Sequence, residues 1–195
     1  MNKILIFFIT FFFNFPVFAD DIKDFDIDGI SIGESLLNHS SKNLIESKNK
    51  TLYPNNDEYY AIEFNSNELK FLETYSYIGI HLKKNDKKYL IASIKGMLPY
   101  KKNFEACLNQ KKIIVKEIKE TLSNSKEQKY TNNFNNLYGM SKAYISDFKV
   151  KDGFIRIWCT NWDKNTENEN GWEDSLNVDL SNQFFLDWLN TKAYE

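Results

Sequence analysis

The chain has 195 residues, 27 acidic against 25 basic, a formal net charge of −2 and two cysteines. Its one arginine, Arg156, stands among lysines scattered between acids, with no basic stripe interleaved with aromatics, so the charge pattern excludes nucleic acid as a partner. The abundance of Lys, Asn, Ile and Phe reflects the codon bias of an AT-rich genome rather than a function.

At the start of the chain, Lys3 precedes an apolar run that ends near Asn14 and Pro16. Val17-Phe18-Ala19 then presents small residues at the −3 and −1 places of a cleavage site. Residues 1–19 read as a cleavable signal peptide. Residues 20–195 then form a single α+β domain, periplasmic or secreted, with a net charge of about −3 once Lys3 is removed. About 176 residues suffice for one domain with a real core. An uncleaved anchor is the alternative, but the apolar run is about ten residues where a span takes about 20. No later segment is apolar and long enough to span, and no cysteine follows the run closely, which disfavours a lipoprotein.

Asp24 to Ile32 alternates apolar and polar residues around Gly29, a short extended segment. Ser31-Ile32-Gly33-Glu34 is a capping-box pattern, followed by one bent helix or two short ones carrying Leu36, Leu37, Leu44 and Ile45. After the turn Asn55-Asn56-Asp57, the sheet begins at Tyr59–Phe64. Tyr75 to Leu82 and Tyr89 to Met97 form a β-hairpin about the lysine-rich turn 83–88. Asn103 to Leu122 has Phe104, Cys107, Leu108, Ile114, Val115, Ile118 and Leu122 at the helical period.

Residues 123–137 are polar and read as an exposed loop. Lys142–Lys149, Phe154–Asn161 and Leu176–Leu180 follow as strands, the first two joined through Asp152-Gly153, and Ser181 caps a last helix. The order after the first helix is then β-β-β-α twice over, suggesting two similar halves. A mainly antiparallel sheet with helices on one face follows.

Two cysteines in an exported protein predict a Cys107–Cys159 disulfide, closing a loop of about 53 residues worth roughly 4 kcal/mol. A redox role is the alternative, but there is no Cys-x-x-Cys and no histidine near either cysteine in sequence.

The segment Gly29-Ile30-Ser31-Ile32-Gly33-Glu34-Ser35-Leu36-Leu37, the Cys107 helix and the Phe184–Leu189 helix resemble those of a group of small exported proteins of marine bacteria with AT-rich genomes. That resemblance implies compartment and layout and no assigned activity. Ile32-Gly33 before a short helix is also similar to envelope proteins of the β-lactamase-inhibitor-protein fold, including a subunit of the outer-membrane assembly machinery. The Gly-x-Pro that closes that motif is absent, and Leu52-Tyr53-Pro54 stands near its place.

Two segments carry oxygen side chains at calcium-loop spacing. Asp24-Phe25-Asp26-Ile27-Asp28-Gly29 opens like such a loop but has Ser35 where the closing Glu belongs. Residues 163–174 offer Asp163, Asn165, Glu167 and Asp174, with Asn168 where glycine belongs, and read first as an acidic hairpin loop. Arg156, Trp158, Trp162 and Trp172 form a candidate binding patch suited to stacking and to a carboxylate or phosphate, with core-capping aromatics as the plain alternative. His39 and His81, the two histidines, sit in no hydrolase, zinc or phosphate-loop motif, and no cofactor motif is present. The residues therefore favour a non-enzymatic module that binds another envelope protein or a small polar ligand. A hydrolase with two converging carboxylates and a calcium-dependent glycan binder stand as alternatives.

Overall fold

The computed structural model describes residues 20–69, 72–101, 103–122, 126–134 and 137–194; residues 1–19, expected from the sequence to be a signal peptide, lie outside them. The fold is α+β and mainly antiparallel. A small hairpin of β1 (Asp26–Ile27) and β2 (Ile30–Ser31) precedes α1 (Lys42–Ser47). Eight strands then build one sheet: β3 (Thr51–Leu52), β4 (Tyr59–Asn65), β5 (Tyr77–Lys83), β6 (Ile91–Pro99), β7 (Glu127–Asn133), β8 (Lys142–Val150), β9 (Gly153–Asn161) and β10 (Ser175–Asn182). Helix α2 (Phe104–Thr121) joins β6 to β7, α3 (Lys164–Asn170) joins β9 to β10, and α4 (Gln183–Thr191) follows β10. The spatial order is β3-β4-β5-β6-β10-β9-β8-β7, so the last strand in sequence lies in the middle.

Period-two alternation sorts the side chains between the two faces. Ile78, Ile80 and Leu82 of β5, Ile94 of β6, Leu176, Val178 and Leu180 of β10, and Ile155, Ile157 and Cys159 of β9 share one buried face. Helix α2 covers that face, joined by Ile22, Ile27, Ile30, Leu36 and Ile45 from the N-terminal segment. The Cys107–Cys159 disulfide ties α2 to β9 with a Cα–Cα distance of 6.1 Å, within the range an unstrained bridge spans.

Several expectations are corrected. The helices do not share one face: α4 packs Phe185 and Trp188 against Tyr59 and Ala92 on the side opposite α2. Residues 127–133 form the edge strand β7 rather than a loop, because backbone pairing to β8 does not require apolar side chains. The β-β-β-α repeat is interrupted by α3 and by β10, which inserts between β6 and β9 instead of extending a second meander. Asn182, not Ser181, caps α4: its Oδ1 accepts from Phe185 N at 2.8 Å, while Ser181 still pairs in the sheet. The capping pattern at Ser31 is half formed; Glu34 Oε1 accepts from Ser31 N at 2.6 Å, but the two short helical turns that follow are capped by Ser35 and Ser41.

Candidate functional site

On the α4 side of the sheet, strand register lines up charges of alternating sign. Lys95 of β6 lies opposite Asp179 of β10, Asp179 opposite Arg156 of β9, and Arg156 opposite Asp147 of β8. The flanking rows on that face hold Ser93, Ser181 and Phe154 on one side and Met97, Asn177, Trp158 and Ile145 on the other. Helix α4 crosses above, with Phe185 over His81 at a ring separation of 4.6 Å. Between helix and sheet is a cleft of about 530 Å³, walled by Tyr53, Phe154, Trp158 and Phe185, with His81, Arg156, Asp179 and Ser181 among its polar groups.

The polar groups are held in place. Arg156 grips Asp147 with two parallel bonds, Nε to Oδ1 and Nη2 to Oδ2, each 2.9 Å. Tyr130 Oη donates to the same Oδ2 at 2.9 Å and accepts from Arg156 Nη2 at 3.0 Å. Asp147 thereby holds the guanidinium pKa above its ordinary value. Asp179 Oδ1 accepts from Ser181 Oγ at 2.6 Å; burial pushes its carboxyl up, against the pull of Ser181, Lys95 and Arg156.

His81 Nε2 lies 2.9 Å from Tyr53 Oη and Nδ1 lies 3.3 Å from Ser93 Oγ. Burial, reinforced by Lys95, lowers its pKa to about 4, so the imidazole is neutral at physiological pH. A neutral ring has one N–H and one lone pair, so one of these hydroxyls donates to it and the other accepts from it.

The predicted patch splits. Arg156 and Trp158 line the cleft, whereas Trp162 and Trp172 pack together at 4.6 Å in a separate cluster at the end of β9. Tyr138 lies edge-on to both tryptophans, and Phe134 stacks on Trp162 at 5.9 Å while its side chain also borders the cleft.

In the oxygen-rich segments, the aspartates Asp24, Asp26, Asp28, Asp163 and Asp174 accept from backbone N–H groups. Residues 164–170 are helix α3 rather than a hairpin loop; Asp163 caps it by accepting from Asn165 N, and Gly171 ends it with φ of 68°. Asp174 turns inward to accept from Trp162 N at 2.8 Å, and burial raises its pKa. Asn165 and Glu167 lie in the first turn of α3. In the N-terminal segment Asp24 accepts from Asp21 N, Asp26 from Gly29 N, and Asp28 from Thr74 N and Tyr75 N. Among the described residues no group of three or more His, Cys, Asp or Glu is placed to hold a metal ion.

Sequence reasoning missed Tyr53, Asp179, Ser181 and Phe185 as cleft residues and left His81 an ordinary histidine. A signal for Asp179 was present: it is a lone carboxylate between Val178 and Leu180 in a strand otherwise suited to burial. Nothing local marks Tyr53 or Phe185, which reach the cleft from a loop and from α4. The chain matches no family model, no curated protein and no solved structure.

Proposed function

We propose that the protein is an exported binding protein that takes a small ligand, an apolar ring or chain with a hydrogen-bonding end, into the cleft beneath α4. The observation that carries this reading is the composition of the cleft: aromatic walls around a few fixed polar groups, the usual character of a small-molecule site. Lys95, Asp179, Arg156 and Asp147 offset one another in charge, which suits a ligand recognised by shape and hydrogen bonds. A paired-acid hydrolase fits less well, because Asp147 is committed to Arg156 and Tyr130, leaving Asp179 as the carboxyl that borders the space.

The leader pattern of residues 1–19 and the Cys107–Cys159 disulfide support a periplasmic or secreted location, where thiols are oxidised. Among the described residues no helix is long and apolar enough to cross a membrane.

The test is a thermal-shift screen of the oxidised protein, purified from the periplasm, against monosaccharides, amino acids and small aromatic alcohols. A supporting hit raises Tm in a dose-dependent way, quenches tryptophan emission, and loses affinity about tenfold in Trp158→Ala and Asp179→Asn, as expected when a buried contact is removed. Hits indifferent to both substitutions, or no hit in any class, would sink the reading.

A further inference from the structure

On the opposite face of the sheet, three elements break their apolar pattern at one place. The apolar stripe of α2 runs through Cys107, Leu108, Ile114, Val115 and Ile118, and Lys111 occupies the turn between them, one helical step of four from Cys107 and 6% exposed. Below it, β8 turns Ser146 to the same face between Tyr144 and Phe148, fully buried. The edge strand β7 contributes Glu127 to that face.

Lys111 Nζ donates to Ser146 Oγ at 2.6 Å, and Ser146 Oγ donates to Glu127 Oε1 at 2.6 Å. Glu127 is shared, because Lys119 Nζ takes its other oxygen at 2.5 Å. Burial pushes the Lys111 ammonium below its ordinary pKa, against the pull of Glu127 and Asp147, and Lys129 adds to the lowering. Burial also pushes the Glu127 carboxyl up, but bonds from Lys119 and Ser146 outweigh it and leave the pKa lowered.

A pocket of about 450 Å³ opens over this group. Five lysines (111, 112, 116, 119 and 129) line it against the single carboxylate of Glu127, in a chain whose net charge is −2. Leu108, Val115 and Tyr144 supply an apolar wall. A buried ammonium with no direct ion pair among the described residues, linked to Glu127 through a serine and sharing that carboxylate with Lys119, is undercompensated. One of its three N–H groups is used on Ser146; among the described residues the other two have no acceptor. The disulfide one turn earlier holds α2 in the register that puts Lys111 there.

We infer that this pocket is a second binding site, for an oxyanion (a carboxylate or a phosphate monoester) carried on a short apolar body. The charged oxygens sit on Lys111 Nζ, with Lys119 and Lys129 at the rim, and the apolar body lies along Leu108, Val115 and Tyr144. The site is independent of the cleft beneath α4, being on the other face of the sheet.

Isothermal titration of the oxidised protein with octanoate, octyl phosphate and inorganic phosphate tests it. The two amphiphiles are expected to bind saturably, inorganic phosphate at least about tenfold more weakly, and Lys111→Met to weaken the amphiphiles about tenfold through loss of the charge-assisted bond. Methionine fits the apolar stripe, and a thermal melt checks that the variant folds. Glu127→Gln removes the competing charge and is expected to tighten binding severalfold, a change that a damaged fold does not produce. Absence of saturable binding by either amphiphile, or equal binding by wild type and Lys111→Met, overturns the site; equal binding of inorganic and octyl phosphate overturns the apolar body.

Discussion

His81 shows how one residue's surroundings set a pH response. Its pKa is about 4 in the folded protein against about 6.5 in an unfolded chain. Between those values the unfolded state binds a proton that the folded state refuses, so stability falls as pH drops from about 6.5 and the loss is complete below about 4. The full amount is about 3 kcal/mol. Asp179, whose carboxyl is raised, works in the opposite sense, so the test compares wild type with His81→Gln, which keeps a neutral hydrogen-bonding group between Tyr53 and Ser93. Urea denaturation at pH 7, 5.5 and 4.5 should show wild type losing stability faster than the variant; parallel pH profiles would mean that His81 titrates normally.

Among the elements, the N-terminal segment is secured at the β8–β9 turn. Ile22 N donates to Lys151 O at 3.0 Å, Lys151 N to Asp20 O at 2.7 Å, and the Ile22 side chain is fully buried. Gly153 makes room for it: a Cβ there would fall 2.6 Å from both Ile22 Cβ and Ser181 O. Gly153→Ala is therefore expected to cost about 2 kcal/mol by overpacking, read as a lower urea midpoint, with amide exchange fastest at Ile22 and Lys151. A midpoint equal to wild type would show that the segment yields without cost. The edge strand β7 is a different case. Its residues, Glu127 to Asn133, are almost all exposed, and that polarity both hid the strand from pattern reading and guards an open sheet edge against pairing with another chain.

At the scale of the whole molecule, the disulfide joins residues 52 apart and ties α2 to the inner strand β9. Replacing both cysteines with alanine is expected to cost about 4 kcal/mol, measured by urea denaturation. A loss under about 1 kcal/mol would mean that packing alone holds α2 in place. The wild-type protein recovered from the periplasm should have an intact mass beginning at Asp20, with both thiols alkylated only after reduction; an uncleaved mass with free thiols would refute export.

What the sequence by itself determined is local: the alternation of β5, the helical stripe of α2, the Asp152-Gly153 hairpin, the α+β class and the cysteine pair. Each is encoded within a few residues, or, for the cysteines, by there being only one way to pair two. Polar segments such as β7 and α3 lack an amphipathic period, so pattern reading took both for loops. The strand order, the insertion of β10 beside β9 and the placing of α2 and α4 on opposite faces were decided only by the tertiary structure. Both candidate sites belong to that second group. The cleft draws Tyr53, His81, Arg156, Asp179 and Phe185 from five separate stretches of chain, and the lysine pocket forms where Lys111, Ser146 and Glu127 meet. A strand's alternation says which residues share a face but not which residue of another strand lies opposite; register supplies that, and a slip of one position would send Asp179 into the core and Ser146 into the cleft face.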